Sequence, residues 1–253
     1  MGLQPLPLPW NFNLILLVGL ATAAAAILVL GRRREDPGDA RLLWLGLVCF
    51  VVALVSPVDA ASDRYLLSAH MIQHILITMV GPPLVLAGLP SGFTRFLPRF
   101  LGNPWLAVTL FNAILLVWHV PALYQATLLD ENVHILEHLL FMASAFVFWM
   151  PIVGPLARSR GMSPLVKIGY LAYAGIPPTV IGMTLGLAPF VMYPFYANQP
   201  RLFADVSALG DQQTAGMLMF GLGNLIYFVP ISIIFLRLFD EAEGDSEAAT
   251  QGG

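Results

Sequence analysis

The sequence predicts an all-α integral membrane protein, a single bundle of about seven transmembrane helices. Three observations predict this fold: 58% of the 253 residues are hydrophobic, only 11% are charged, and long apolar runs recur along the chain. Soluble domains normally carry roughly 25% charged residues. Because so few charges cannot cover the surface of a water-soluble body of this size, lipid must surround most of it.

Runs of roughly 17–25 apolar residues are long enough to cross a bilayer as helices. The chain contains seven such segments: Trp10–Leu30, Arg41–Ser56, Tyr65–Leu86, Pro104–His119, Val133–Ile152, Leu165–Leu187 and Gln213–Leu238. No apolar–polar alternation is strong enough to predict a β-barrel. Residues 1–238 are therefore predicted to form one transmembrane domain. The acidic, polar segment 239–253 is predicted to be a disordered cytoplasmic tail.

The basic residues predict the orientation of the bundle. With the N-terminus outside, all of the twelve basic residues except Arg64 and Arg201 fall on the cytoplasmic side. Those on the cytoplasmic side are Arg32, Arg33, Arg34, Arg41, Arg95, Arg99, Arg158, Arg160, Lys167 and Arg237. Because cytoplasmic loops are enriched in Lys and Arg, we expect the N-terminus outside and the C-terminus in the cytoplasm. The first apolar run is too long for a signal peptide, so we expect it to remain as a helix.

Four segments predict local features of the bundle. The proline pairs Pro82-Pro83 and Pro177-Pro178 should kink their helices or break the backbone hydrogen-bond ladder. The spacing of Gly182 and Gly186 is typical of a close helix-packing face. The segment 188–211 is rich in aromatic residues, which predicts an interfacial lid at the outer surface.

Charge and cysteine content exclude several classes of function. The net charge of −3 is too small to indicate a nucleic-acid partner. The single cysteine, Cys49, lies inside an apolar run. The chain therefore has neither a disulfide framework nor a thiolate metal cluster, and Cys49 is expected to be a small core residue.

All five histidines fall near the same membrane face in this topology: His70, His74, His119, His134 and His138. The first two and the last two are separated by four residues, so each pair projects from one helical face. A single intramembrane histidine often serves only as a hydrogen-bonding group between helices. Five at one depth instead favour a metal or haem site, since ionisable groups are costly in a bilayer and imidazole is a common metal ligand.

Four other residues are candidates for contacts around these imidazoles. Glu137, between His134 and His138 in the sequence, could join the coordination shell or hydrogen-bond an imidazole. Asp59 and Asp211 flank the same face, whereas the nearby Asp63 is more typical of a helix cap. The thioether of Met71 would favour Cu(I), although methionine is also ordinary core filler.

Six motifs, taken in order, resemble the CtaG family of caa3-type cytochrome c oxidase assembly factors. They are Ser56-Pro57-Val58-Asp59, Ser68-Ala-His70-Met-Ile-Gln73-His74, Gly81-Pro-Pro-Leu, Trp118-His119-Val-Pro121-Ala-Leu-Tyr124, His134-Ile-Leu-Glu137-His138-Leu and Asp211-Gln212-Gln213-Thr-Ala-Gly216. After Gly216, the sequence Met-Leu-Met-Phe-Gly departs from the family pattern. The resemblance implies a non-enzymatic, multi-pass protein of the bacterial cytoplasmic (inner) membrane. Such a protein would act on cytochrome c oxidase subunits by helping a copper ion reach the oxidase, with the five histidines as its ligands.

Three other functions remain open from the residues. Two opposed histidines could hold non-covalent haem in an electron carrier, but the chain lacks the Cys-x-x-Cys-His motif for covalent attachment. His134-x-x-Glu137-His138 matches an inverted zincin pattern, which would indicate a zinc metalloenzyme. A copper transporter would need polar or methionine-lined steps across the whole membrane, whereas the polar groups here are predicted to stop on one side.

Overall fold

A computed structural model of the chain describes residues 6–31, 38–90, 92, 103–154, 157 and 161–251. These described residues form helices and no strand, as the sequence predicts. The helices are α1 (Leu14–Gly31), α2 (Ala40–Leu54), α3 (Pro57–Arg64), α4 (Leu67–Ile75), α5 (Gly81–Gly88), α6 (Pro104–Trp118), α7 (Pro121–Leu129), α8 (Glu131–Trp149), α9 (Pro164–Ala174), α10 (Ile176–Leu187), α11 (Pro194–Ala197), α12 (Ala208–Met217) and α13 (Asn224–Gln251). Two segments have the wider π-helical geometry, the first π segment (Leu76–Val80) and the second π segment (Leu218–Gly223).

Among the described residues, four helical stretches are long and apolar enough to cross a membrane, or up to six if each bent helix pair is one span. The four are Leu67–Gly88, Glu131–Trp149, Pro164–Leu187 and Ala208–Asp240. The bent pairs are α2 with α3, at 44°, and α6 with α7, at 74°. Leu14–Val29 is a shorter apolar helix. The chain is thus a helical bundle suited to a membrane, and seven spans with an external N-terminus stay predictions. The arginines at 32–34, 95, 99, 158 and 160 lie outside the described residues.

The first π segment follows from the Pro82-Pro83 pair. Because proline has no N–H group, Pro82 leaves the carbonyl of Thr78 without its α-helical donor. The indole N–H of Trp149 donates to this carbonyl at 2.9 Å, while the N–H of Gly81 reaches back five residues to the carbonyl of Leu76. The predicted break in the backbone ladder is confirmed. The hydrogen bond from Trp149 to Thr78 also joins the helix that carries His70 and His74 to α8.

Glycines bring α10 and α12 into close contact. A Cβ added at Gly182 would lie 2.7 Å from the carbonyl oxygen of Gly216, which is closer than real Cβ atoms approach. Small residues commonly allow such contacts between membrane helices. The predicted packing face at Gly182 and Gly186 is confirmed. The contact holds α12 against the bundle, with Asp211 in its first turn.

The last helix extends further than the sequence predicts. α13 continues to Gln251 and so includes most of the segment 239–253, for which a disordered tail is predicted. Extending an existing helix orders one residue for each new hydrogen bond, and Glu and Ala have high helix propensity. These two effects favour helix at the start of a segment whose composition is otherwise typical of disorder.

Candidate metal centre

The structure brings the five histidines together inside the bundle. His70 and His74 lie on α4, His134 and His138 lie on α8, and His119 directly follows α6 as its C-cap. The i,i+4 spacing within each helix brings the two Nε2 atoms of the pair close together. They lie 2.8 Å apart in His70 and His74, and 3.1 Å apart in His134 and His138. Ring centroids of the two pairs are separated by 5.5 to 6.1 Å. The two pairs therefore face one another across a single interhelical space.

Four groups offer one donor atom each within 4.8 Å of one another: His70, His134, Glu137 and His138. Both carboxylate oxygens of Glu137 are buried and have no hydrogen-bond partner. Buried polar atoms are nearly always paired, and burial of an unpaired carboxylate is costly. A cation bound among the imidazoles would give the carboxylate a partner, so the residues present fit a positively charged ligand.

The spacing of the rings also fits a single metal ion. Two imidazoles that bind one ion at about 2.0–2.1 Å have ring centroids no more than about 6.4 Å apart. The measured separations of His70 from His134 and His138 are 5.7 and 6.1 Å, both within this limit. A set of three nitrogens and one carboxylate oxygen suits copper or zinc.

His74 and His119 lie at one edge of this four-residue group. The Nε2 atom of His74 is 2.8 Å from that of His70 and 3.9 Å from a carboxylate oxygen of Glu137. The ring of His119 lies 6.2 Å from that of His74, and its Nδ1 atom donates to the carbonyl of Leu115 at 2.8 Å. His74 thus touches the group directly, and His119 is one ring further away.

The aromatic segment predicted as a lid contributes two buried tyrosines. The Tyr196 hydroxyl donates to the carbonyl of Ser62 at 2.7 Å and lies 3.5 Å from Nδ1 of His70. Tyr193 donates to the carbonyl of His119 at 3.0 Å. Burial raises the pKa of the Tyr196 phenol, so the hydroxyl stays neutral. Since its proton is committed to Ser62, the Tyr196 oxygen can serve His70 only as an acceptor, and a proton on Nδ1 of His70 would leave its Nε2 lone pair available to a metal.

A family model, described as cytochrome c oxidase caa3 assembly factor (Caa3_CtaG), matches residues 22–241 of the chain. The chain belongs to this family. The matched range includes the five histidines and Glu137, and the resemblance found in the sequence motifs is confirmed. Comparison with curated proteins and with solved structures gives no match.

In this member of the caa3 assembly factor family, Asp211 holds the start of α4. Its carboxylate accepts hydrogen bonds from the backbone N–H groups of Leu67 and Ser68, at 2.7 and 3.2 Å, and from the Ser68 hydroxyl. Leu66, the residue before α4, supplies no side-chain cap. Asp211 therefore satisfies N–H groups that helix geometry leaves unpaired. It supports the histidines by anchoring their helix from α12.

Asp59 also acts on α4 rather than on an imidazole. Its carboxylate accepts from the side-chain amides of Asn11 and Gln73, at 2.9 and 3.0 Å. Gln73 donates in addition to the carbonyl of Ala53 at 2.9 Å. Gln73 thus ties the histidine-bearing helix to α2 and α3. Its position directly before His74 in the motif was the available signal for this role.

Asp63 is the acidic side chain that approaches an imidazole from the surface. One carboxylate oxygen lies 3.7 Å from Nε2 of His134, and the side chains are 33% and 13% exposed, respectively. The sequence favours a capping role for Asp63, but Ser56 caps α3 by accepting from the N–H of Val58. The pair formed by Asp63 and His134 thus places an acidic side chain at the partly exposed edge of the four-residue group.

Proposed function

We propose that this membrane protein binds a copper ion through His70, His134, Glu137 and His138. Acting at the outer face of the bacterial cytoplasmic membrane, it helps copper reach the metal centre of a haem–copper cytochrome c oxidase. The observation that carries the proposal is the group of four donor atoms within 4.8 Å that includes the unpaired, buried carboxylate of Glu137. Membership of the caa3 assembly factor family supports oxidase assembly as the purpose of binding.

The arrangement suits a carrier of copper. Copper, as cargo, would exchange the water around it for imidazole nitrogens and one carboxylate oxygen. Asp63 attracts the cation at the surface, and His134, the partly exposed member of the group, is the first imidazole it meets. The Tyr196 oxygen favours a proton on Nδ1 of His70, so that the Nε2 lone pair of His70 is free for the ion. Each of these steps is ligand exchange, so the family role and the site both favour a non-enzymatic function.

The geometry favours this function over a haem carrier. The cavity beside His74 and His119 has a volume of about 30 Å³, whereas pockets for drug-sized ligands occupy roughly 300–1,000 Å³. A porphyrin would require the helices to separate. Zinc fits the same donor set as copper, and so metal analysis of the purified protein, together with its absorption spectrum, distinguishes copper, zinc and haem.

The direct experiment is a copper titration of the purified full-length protein in detergent. We expect His70→Ala and His138→Ala to weaken copper binding by at least about 10-fold, since each removes one of four ligands. Gln213→Ala is the control, because Gln213 donates to the carbonyl of Ala188 and belongs to α12. Histidine variants that bind copper as tightly as the parent would exclude this site.

The cellular role is tested in a deletion strain of the host. We expect lower haem–copper oxidase activity and lower copper content in the oxidase, with the membrane otherwise intact. Added copper should partly restore activity if the protein delivers the ion. Normal oxidase activity and normal copper content in the deletion strain would refute the proposal.

A further inference from the structure

A small cavity lies on the side of His74 that faces away from the four-residue group. Its volume is about 30 Å³, enough for one or two waters or for one metal ion. Three methionines and two histidines line it: Met71, Met79, Met219, His74 and His119. All three methionines are buried. Two of them come from different π segments, Met79 from the first and Met219 from the second.

The two histidines present unpaired nitrogen atoms at this cavity. His119 donates from Nδ1 to Leu115, and its buried Nε2 has no hydrogen-bond partner. The buried Nδ1 of His74 has no partner either, while its Nε2 faces His70. Both residues are more than nine-tenths buried, with exposures of 7% for His119 and 6% for His74. Two unpaired nitrogens on rings that line an apolar cavity require a donor or a cation to satisfy them.

The methionines supply what a soft ion requires. Thioethers select Cu(I) over the divalent metals, and imidazole also accepts copper. The ring centroids of His74 and His119 lie 6.2 Å apart, within the limit of about 6.4 Å for two imidazoles that share one ion. The sulphur of Met79 reaches the second π segment, since a Cβ added at Gly223 would lie 3.9 Å from it. π-Helical turns inside α-helices occur frequently at functional sites.

We infer that this cavity is a second copper site, specific for Cu(I), in which His74, His119, Met71, Met79 and Met219 supply the ligands. We refer to this cavity as the methionine site and to the group of His70, His134, Glu137 and His138 as the histidine site. His74 lies between them, with Nε2 near His70 and an unpaired Nδ1. His74 therefore borders both sites, and as a neutral ring with its proton on Nε2 it offers Nδ1 to the second ion. The inference rests on the proposed function in taking copper as the cargo, but the second site has its own donor atoms.

The test is X-ray absorption at the copper edge of the purified full-length protein loaded with Cu(I) under reducing conditions. A Cys49→Ser background removes the chain's one cysteine, so any sulphur bound to copper comes from methionine. We expect the parent to bind two ions, with both nitrogen and sulphur neighbours. The triple variant should lose the sulphur signal and bind only one ion. It combines Met71→Leu, Met79→Leu and Met219→Leu. Leucine has similar volume and is the best tolerated replacement.

Met217→Leu is the matched control, because Met217 lies on α12 next to the second π segment and is 57% exposed. It should keep the sulphur signal and both ions. A sulphur signal that persists in the triple variant, or that Met217→Leu also removes, overturns the inference. If the single variants each lower Cu(I) affinity by at least about 10-fold while Met217→Leu does not, the result holds independently of how well the triple variant folds.

Two outcomes separate this inference from the proposed function. If the parent binds one ion through nitrogen and oxygen alone, the inference of a methionine site is wrong and the proposed histidine site is retained. Water would then bridge His74 and His119. A parent that binds one ion with sulphur neighbours, unchanged by His138→Ala, supports the methionine site and removes the histidine site. His138 does not line the cavity, and so the substitution acts on one site only.

Discussion

Glu137→Gln separates the charge of the buried carboxylate from its size. Glu137 is fully buried, and both of its oxygens lack hydrogen-bond partners. A monovalent ion bound among the four donor atoms, which lie within 4.8 Å of one another, would lie within that distance of the carboxylate. At an effective dielectric constant of about 20, the attraction at that distance is at least about 3.5 kcal/mol. Part of this is offset by the cost of keeping the carboxylate charged, so we expect copper affinity to fall about 100-fold, or about 2.7 kcal/mol.

Thermal unfolding with and without copper measures this loss. With copper at about 100 times the parent's dissociation constant, binding stabilises the parent by about 2.7 kcal/mol. A variant that binds about 100-fold more weakly is stabilised by only about 0.4 kcal/mol at the same concentration. With Cu(II), which the Cu(I)-specific methionine site does not take up, the copper-induced rise in Tm should therefore nearly disappear in Glu137→Gln. The unfolding of the metal-free proteins should change much less, because the carboxylate makes at most a weak contact with the Thr127 hydroxyl, whose proton goes to the carbonyl of Tyr124.

Glu131→Gln is the matched control for this experiment. Glu131 is an exposed residue in the first turn of the same helix, α8, so the substitution removes the same charge at a site where water screens it. We expect its copper response to equal that of the parent. If Glu137→Gln binds copper within about 3-fold of the parent, the carboxylate is not part of the metal centre, and the reasoning from its unpaired oxygens is wrong.

Three further predictions concern the surroundings of the site. Tyr196→Phe removes the oxygen that accepts from Nδ1 of His70 and should weaken copper binding about 10-fold in the titration described above. Trp149→Phe leaves the buried carbonyl of Thr78 unpaired and should lower the free energy of unfolding by about 1–3 kcal/mol, whereas Trp105→Phe, at a 55% exposed position, should change it little. Copper affinity should fall as pH drops through about 6.5, the pKa of free imidazole, since protons and copper compete for the same lone pairs. With several imidazoles on one ion the fall should be steeper than a single titration, and affinity that stays flat between about pH 5 and 8 would exclude histidine ligands.

The three methionines proposed as copper ligands were not equally visible in the sequence. Met71 was a candidate because its thioether would favour Cu(I) near the histidines. Met79 and Met219 are typical of apolar helix interiors, where methionine commonly fills space. Their meeting depends on the two π segments, each of which rotates the residues after it relative to a regular helix. The first π segment has a cause in Pro82-Pro83, whereas the second contains no proline.

The sequence by itself determined the helical membrane class, the family, and the pairing of histidines within each helix. These properties depend on composition and on the 3.6-residue repeat, which are local. His70 with His74, and His134 with His138, share a helical face in any structure in which those segments are helical.

Only the tertiary structure decided which residues from different helices meet. Asp211 caps α4 across 144 positions of sequence, Asp63 in place of Asp59 faces His134, and Tyr196 reaches His70 from the aromatic segment 188–211. Each contact depends on how closely helices approach, as at Gly182 on α10, and on which N–H groups a helix end leaves unpaired. Distances between helices are set by the packing of all their side chains together, and no local pattern encodes them.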